Sequence, residues 1–272
     1  MTYHFAPDGA SFAVESTSRL DAFVAARSFD KPTLVMDLDL VEAQYRALRR
    51  GLGRADIHSA VKANPARQII ARLVDLGSHF DAASRAEIAL CLEECAQPSA
   101  VPSGYTTKRA SDIAWAWEQG ITLFAADAEE ELEKIAVNAP GASVYIRLIV
   151  EVSEADWPLS RKFGCDRDTA LNLLDQAKAL GLNPVGFSFH VGSQTRHAAM
   201  WAPTLDAMAL IWKAANDAGH DLSLLNIGGG FPAFYGEEIE TPTAYAAEVI
   251  AMGETRFPNV PRIMAEPGRG MV

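Results

Sequence analysis

The stretch Ile57-His58-Ser59-Ala60-Val61-Lys62-Ala63-Asn64-Pro65-Ala66-Arg67-Gln68-Ile69-Ile70-Ala71-Arg72-Leu73-Val74-Asp75-Leu76-Gly77-Ser78-His79-Phe80-Asp81-Ala82 contains one full cycle of the pattern that builds this chain. A short run, mostly apolar, ends at Val61. Asn64-Pro65 then breaks it, because the residue before a proline is kept out of the helical region. Apolar residues recur at helical spacing over Ala66–Leu76, Gly77 stands just past the helix end, and a second run follows at Ser78–Ala82.

The same alternation extends in both directions. Short runs are readable at Thr33–Met36, Ile57–Val61, Ser78–Ala82, Ala100–Val101, Ile121–Phe124, Ser143–Val150, Pro184–His190, Leu224–Ile227 and Arg262–Ala265. Helical periodicity fills Val41–Leu52, Ala66–Leu76, Arg85–Cys95, Ala110–Gln119, Glu129–Asn138, Thr169–Leu180, Ala199–Ala218 and Pro242–Met252. Ser84 with Glu87 forms a capping-box pattern, Asp127 is placed to cap the helix from Glu129, and Gly120, Gly181 and Gly219 also follow helix ends. Strand–helix alternation repeated about eight times predicts a parallel sheet covered by helices, closed as a (β/α)8 TIM-type barrel. Such barrels take about 250 residues, close to the span from Thr33 to Val272. Thr33–Met36 is therefore placed outside the ring, and residues 1–32 are read as an N-terminal extension.

Composition narrows the function. The 272 residues are 49% hydrophobic and carry a formal charge of −11 with no basic block, which disfavours nucleic acid and anionic membranes as partners. Three cysteines, Cys91, Cys95 and Cys165, make no disulfide framework, and no metal-ligand set is read around them. The N-terminus lacks a basic region followed by an apolar one, and no run of 18 apolar residues occurs. A soluble, cytoplasmic protein is expected.

In a parallel barrel the chemistry gathers at the C-terminal ends of the strands. Those ends carry Lys62, Asp81, Arg147, His190-Val191-Gly192-Ser193-Gln194, Gly228-Gly229-Gly230-Phe231-Pro232 and Glu266-Pro267-Gly268-Arg269. An amine at the end of a buried strand is expected to be desolvated, which lowers its pKa and frees it for a Schiff base. Three consecutive glycines let main-chain N–H groups approach a phosphate, with Arg269 beside them. His190 is placed as a flat ring for stacking or as a proton carrier, and Glu266 either pairs with Arg269 or serves a pyridine nitrogen.

Six motifs in fixed order carry a resemblance: Ala60-Val61-Lys62-Ala63-Asn64, Phe80-Asp81-Ala82-Ala83-Ser84, Arg161-Lys162-Phe163-Gly164, His190-Val191-Gly192-Ser193-Gln194, Gly228-Gly229-Gly230-Phe231-Pro232 and Glu266-Pro267-Gly268-Arg269. Together they resemble the fold-type III basic amino-acid decarboxylases dependent on pyridoxal 5'-phosphate (PLP), a family with an alanine racemase-like barrel. Gly-Gly-Gly-Phe-Pro is closest to the ornithine/lysine branch. The resemblance implies that Lys62 holds PLP as a Schiff base and helps protonate the product, and that His190 stacks on the ring. It implies Glu266 at the pyridine nitrogen, and Ser193, Gly229, Gly230, Gly268 and Arg269, with Pro267 between them, around the phosphate. Asp81 and Arg147 are implied near Lys62 and the ring. The implied activity is decarboxylation of a basic amino acid, L-ornithine to putrescine, in polyamine biosynthesis.

The family continues into a β-rich C-terminal domain that completes the partner's site in a homodimer. The chain ends at Gly270-Met271-Val272, so that domain is expected to be absent. Lys162 resembles a residue that pairs across the dimer, and Tyr105 stands where the family carries an asparagine. A barrel without its covering domain is expected to expose apolar surface. The alternatives are a barrel-only PLP-binding homeostasis protein and a non-catalytic regulatory homologue.

Overall fold

A computed structural model describes residues 2–5, 11–14, 18–149, 162–260 and 262–272. A two-stranded antiparallel hairpin, β1 (Thr2–Phe5) and β2 (Ser11–Val14), and helix α1 (Ser18–Ala25) occupy the stretch read as an extension. The barrel strands follow: β3 (Asp56–Ala60), β4 (His79–Asp81), β5 (Leu123–Ala126), β6 (Ser143–Arg147), β7 (Asn183–Ser188), β8 (Leu224–Asn226) and β9 (Arg262–Ala265). They form one parallel sheet in the order β4-β3-β9-β8-β7-β6-β5. Its helices are α2 (Leu38–Leu52), α3 (Arg67–Asp75), α4 (Arg85–Glu93), α5 (Ala110–Glu118), α6 (Glu129–Asn138), α7 (Arg167–Ala179), α8 (Ala202–Asp217) and α9 (Pro242–Arg256).

Seven strands leave one position of the ring to fill, and Ser103 fills it. This residue bridges Ala82 on one side and Phe124 on the other, both in parallel sense. Its N–H donates to Leu123 O at 3.0 Å, its carbonyl accepts from Ala125 N at 3.0 Å, and Gly104 N donates to Ala82 O at 3.1 Å. The predicted run Ala100–Val101 therefore lies slightly early: Pro98–Ala100 is a single 3-10 turn, and the eighth position is reduced to one residue. Thr33–Met36 does lie outside the ring and forms no strand. The predicted sixth run ends as strand at Arg147, and its last residue, Val150, lies outside the described residues, as does Arg161 of the third motif.

Alternation along the strands divides the core in two. Ile57, Phe80, Phe124, Ile146 and Phe187 face the helices in the larger cluster, whereas Ala125, Tyr145, Leu224 and Met264, with Leu123 and Val185, plug the barrel. Each large buried side chain contributes about 1.5–3 kcal/mol. Helix ends follow the sequence signals with one exception. Ser84 Oγ accepts from Glu87 N at 3.2 Å, and the four glycines past helix ends have φ of +76° to +88°. Asp127 does not cap α6; its carboxylate accepts from Gly164 N at 2.7 Å, fastening the segment after β6. Among the described residues no helix is long and apolar enough to cross a membrane.

Candidate active site

The parallel register sets the site. Ala60 pairs with Asp81, so the turn after β3 and the end of β4 lie side by side. Lys62 sits in that turn, Val61–Ala63, and its Nζ donates to Asp81 Oδ2 at 2.7 Å. Asp81 is buried, but the Lys62 side chain is 60% exposed at the barrel mouth. This corrects the expectation of a desolvated, low-pKa lysine. The carboxylate of Asp81 raises the Lys62 pKa, and that attraction outweighs the opposing effect of burial, with Glu266 and Glu87 adding to it. Lys62 rests as an ammonium ion.

Glu266 follows β9 on the same rim. Its carboxyl is pushed up to about 7, chiefly by burial and then by the charge of Asp81, while Lys62, Asn226 and Arg147 oppose the rise. Asn226 Nδ2 donates to Glu266 Oε1 at 2.5 Å, and Asn226 Oδ1 accepts from Gly228 N at 2.9 Å. One buried amide thus couples the carboxyl to the glycine loop. His190, just beyond β7, is pushed down to about 3 by burial and by the cations Arg147 and Lys62. Its Nδ1 accepts from Gly192 N at 2.9 Å, which places the ring proton on Nε2. A neutral ring of fixed tautomer suits stacking and not the proton-carrier alternative.

The glycine loop is shaped by what surrounds it. A Cβ on Gly229 would lie 2.7 Å from Glu266 O and 3.1 Å from His190 Nε2, and one on Gly230, where φ is +112°, would lie 2.6 Å from Gly192 O. Thr195 N donates to Gly230 O at 2.9 Å, and the Gln194 amide closes a two-bond clamp on Ala233, 2.5 Å to its O and 3.0 Å from its N. Arg269 Nη2 reaches Ser193 Oγ at 3.4 Å on the solvent side. Pro267 O accepts from Ala60 N at 3.0 Å, and a Cβ on Gly268 would touch Ala60 and Ala63 at 3.3 Å. The Glu266–Arg269 turn is thereby held against the lysine turn. Arg147 ends β6 and stands 5.4 Å over the Phe163 ring, whose edge meets Tyr105 at 5.3 Å.

All eleven predicted residues therefore lie on one end of the barrel. The sequence analysis gave Asn226 no role, and the signal was available: an amide among the apolar residues of a buried strand, at 1% exposure. It also passed over Tyr145, which shares the inward face with Arg147 and has a fully buried hydroxyl near Glu266, Asp81 and Asn226. Gly104 was missed as well; a Cβ there would overlap Asp81 Oδ1. Its loop is anchored by Lys108, whose Nζ donates to Tyr105 O, Ala125 O and Glu131 at 2.6, 2.7 and 2.9 Å.

This set fits pyridoxal phosphate. A primary amine, a buried carboxyl on the same rim, a neutral ring and a glycine cradle with a hydroxyl and a guanidinium match an aldehyde, a pyridine nitrogen, a ring face and a phosphate.

Comparisons with known proteins agree. Residues 38–272 match the family model described as pyridoxal-dependent decarboxylase, pyridoxal binding domain. The lysine/ornithine decarboxylase of Selenomonas ruminantium is 36% identical over 247 residues, covering 90% of this chain and 63% of the relative. The lysine/ornithine decarboxylase from Vibrio vulnificus, solved with putrescine, superposes with a TM-score of 0.85 at 29% identity, over 95% of this chain and 69% of that one. The arginine decarboxylase of Paramecium bursaria Chlorella virus gives 0.79 at 30% identity, over 86% and 63%. The chain thus spans less than two-thirds of the length of the curated relative. It belongs to the pyridoxal-dependent decarboxylase family and carries the family's pyridoxal-binding domain.

Proposed function

We propose that residues 33–272 form the cofactor-binding barrel of a carboxy-lyase that acts on a basic amino acid, with L-ornithine, giving putrescine, as the substrate. One observation carries the reading: Lys62 paired with Asp81 at 2.7 Å, on the rim that also holds His190 and Glu266. Gly228-Gly229-Gly230-Phe231-Pro232 favours the ornithine/lysine branch within the family. Bound at this rim, pyridoxal phosphate supplies the sink for the electron pair left behind when carbon dioxide departs.

The chain's own groups have distinct tasks. Lys62 Nζ is the amine that would hold the cofactor's aldehyde, and Asp81 Oδ2 is placed to accept the ammonium proton. The same pair would hold a proton at Lys62 Nζ, available to the product. Glu266, steadied by Asn226, is the carboxyl that would keep the pyridine nitrogen protonated. His190 offers a flat uncharged face, and the Gly192 N–H fixes its plane. Ser193, Gly229, Gly230, Gly268 and Arg269 take the phosphate, with Pro267 locking their turn to Ala60. A homodimer with Lys162 at the contact, in the cytoplasm, completes the proposal.

Release of carbon dioxide from L-ornithine, L-lysine and L-arginine, with PLP added, tests it. Ornithine is expected to react fastest. Faster release from either of the others would overturn the substrate. No release from any of them, with PLP demonstrably bound, would overturn activity in this chain itself.

A further inference from the structure

The end of the barrel opposite Lys62 holds a second group of chemically capable side chains. Ile57 faces the helices, so alternation turns Asp56 and His58 toward the barrel axis. Register then pairs His58 directly with His79 on β4. His58 Nε2 and His79 Nδ1 are 3.3 Å apart, their rings meet edge to face at 4.8 Å, and one ligand atom each from Asp56, His58 and His79 lies within 4.8 Å of the others.

We propose that Asp56, His58 and His79 bind one divalent metal ion of the zinc class, through two imidazole nitrogens and a carboxylate oxygen. The spacing supports this. Two nitrogens on a tetrahedral zinc with bonds of about 2.0–2.1 Å stand about 3.4 Å apart, which the two rings already match. Asp56 places a carboxylate oxygen within 4.8 Å of both nitrogens. His58 is fully enclosed, and its Nε2, the nitrogen nearest His79, is the one that would ligate.

The donor set selects among ions. Imidazole suits zinc, cobalt and nickel, whereas calcium and magnesium prefer an all-oxygen set. Arg262 Nε holds Asp56 Oδ2 at 2.7 Å, which fixes the carboxylate as hydrogen bonds to metal ligands commonly do. Its charge, and that of Arg49 near His79, oppose a cation and limit the affinity. The bound ion would tie β3 to β4 at the foot of the barrel. Sequence reading found no metal set because the two histidines lie 21 residues apart and become neighbours only through strand register.

The test uses the untagged chain, stripped with a chelator and studied without PLP, which itself binds metals. Cobalt(II) is titrated while visible absorbance is followed, and zinc is titrated by calorimetry. One equivalent, a saturable cobalt band and a higher melting temperature are expected. His79→Gln and Asp56→Asn, both at partly exposed positions, are each expected to weaken binding about tenfold or more while circular dichroism stays unchanged. Absence of a saturable band would overturn the proposal. So would equal binding by wild type and both variants, which would assign the ion to other histidines or to the cysteines.

Discussion

Substituting Glu266 by glutamine separates the electrostatics of the site from its shape. The carboxyl is pushed up to about 7 from an ordinary 4.5, mainly by burial and then by Asp81. Between these two values the folded chain keeps a proton that the unfolded chain gives up, so stability falls as pH rises through that interval. At about 1.4 kcal/mol per pH unit the rise amounts to about 3 kcal/mol at pH 8, as a ceiling before the site relaxes. Glutamine has the same size, and its oxygen still accepts from Asn226 Nδ2, so the variant removes the charge and little else. Without cofactor, Glu266→Gln should be more stable than wild type by about 2–3 kcal/mol at pH 8, and by under about 1 kcal/mol at pH 5. Urea unfolding at the two pH values reads both numbers. An equal difference at pH 5 and pH 8 would refute the assignment of the raised pKa to this carboxyl. With PLP the sign reverses, since glutamine cannot hold the pyridine nitrogen protonated, and activity should fall.

Three further expectations follow from neighbouring geometry. Gly229→Ala places a methyl 2.7 Å from Glu266 O and 3.1 Å from His190 Nε2; the resulting strain of about 1–3 kcal/mol should weaken PLP binding about tenfold or more in a fluorescence titration. An unchanged affinity would mean that the loop gives way freely. Nitrogen-15 NMR should find His190 as the neutral Nε2–H tautomer from pH 5 to 8, and an imidazolium signal at pH 6 would contradict its pKa of about 3. Glu131→Gln leaves Lys108 enclosed without its carboxylate and should cost about 3–5 kcal/mol in urea unfolding, whereas a loss below about 1 kcal/mol would show that the buried pair does not anchor the Gly104 loop.

The alternation of runs and helices was legible because parallel strands covered on both faces are short apolar segments, and the glycine and proline punctuation marked their ends. The site was legible for the same reason: nearly every polar interruption at a strand end belongs to the rim. What escaped were features decided by register and burial. Ser103 completes the ring through two main-chain bonds of its own and one from Gly104, and one serine between proline and glycine carries no strand signature. The state of Lys62 was misread because the strand was assumed to extend to it. The chain turns after Ala60 instead, lifting the amine toward solvent and within reach of Asp81. Asp127 looked like a helix cap, yet Gly164, 37 residues away, claims its carboxylate.

The most direct measurement is borohydride reduction of the chain with added PLP, followed by peptide mass mapping of wild type and Lys62→Ala. The account predicts one pyridoxyl group, on the peptide containing Lys62, and none at any position in the variant under the same conditions. Labelling of a different lysine, or equal labelling of the variant, would contradict the assignment of Lys62 as the residue that holds the cofactor.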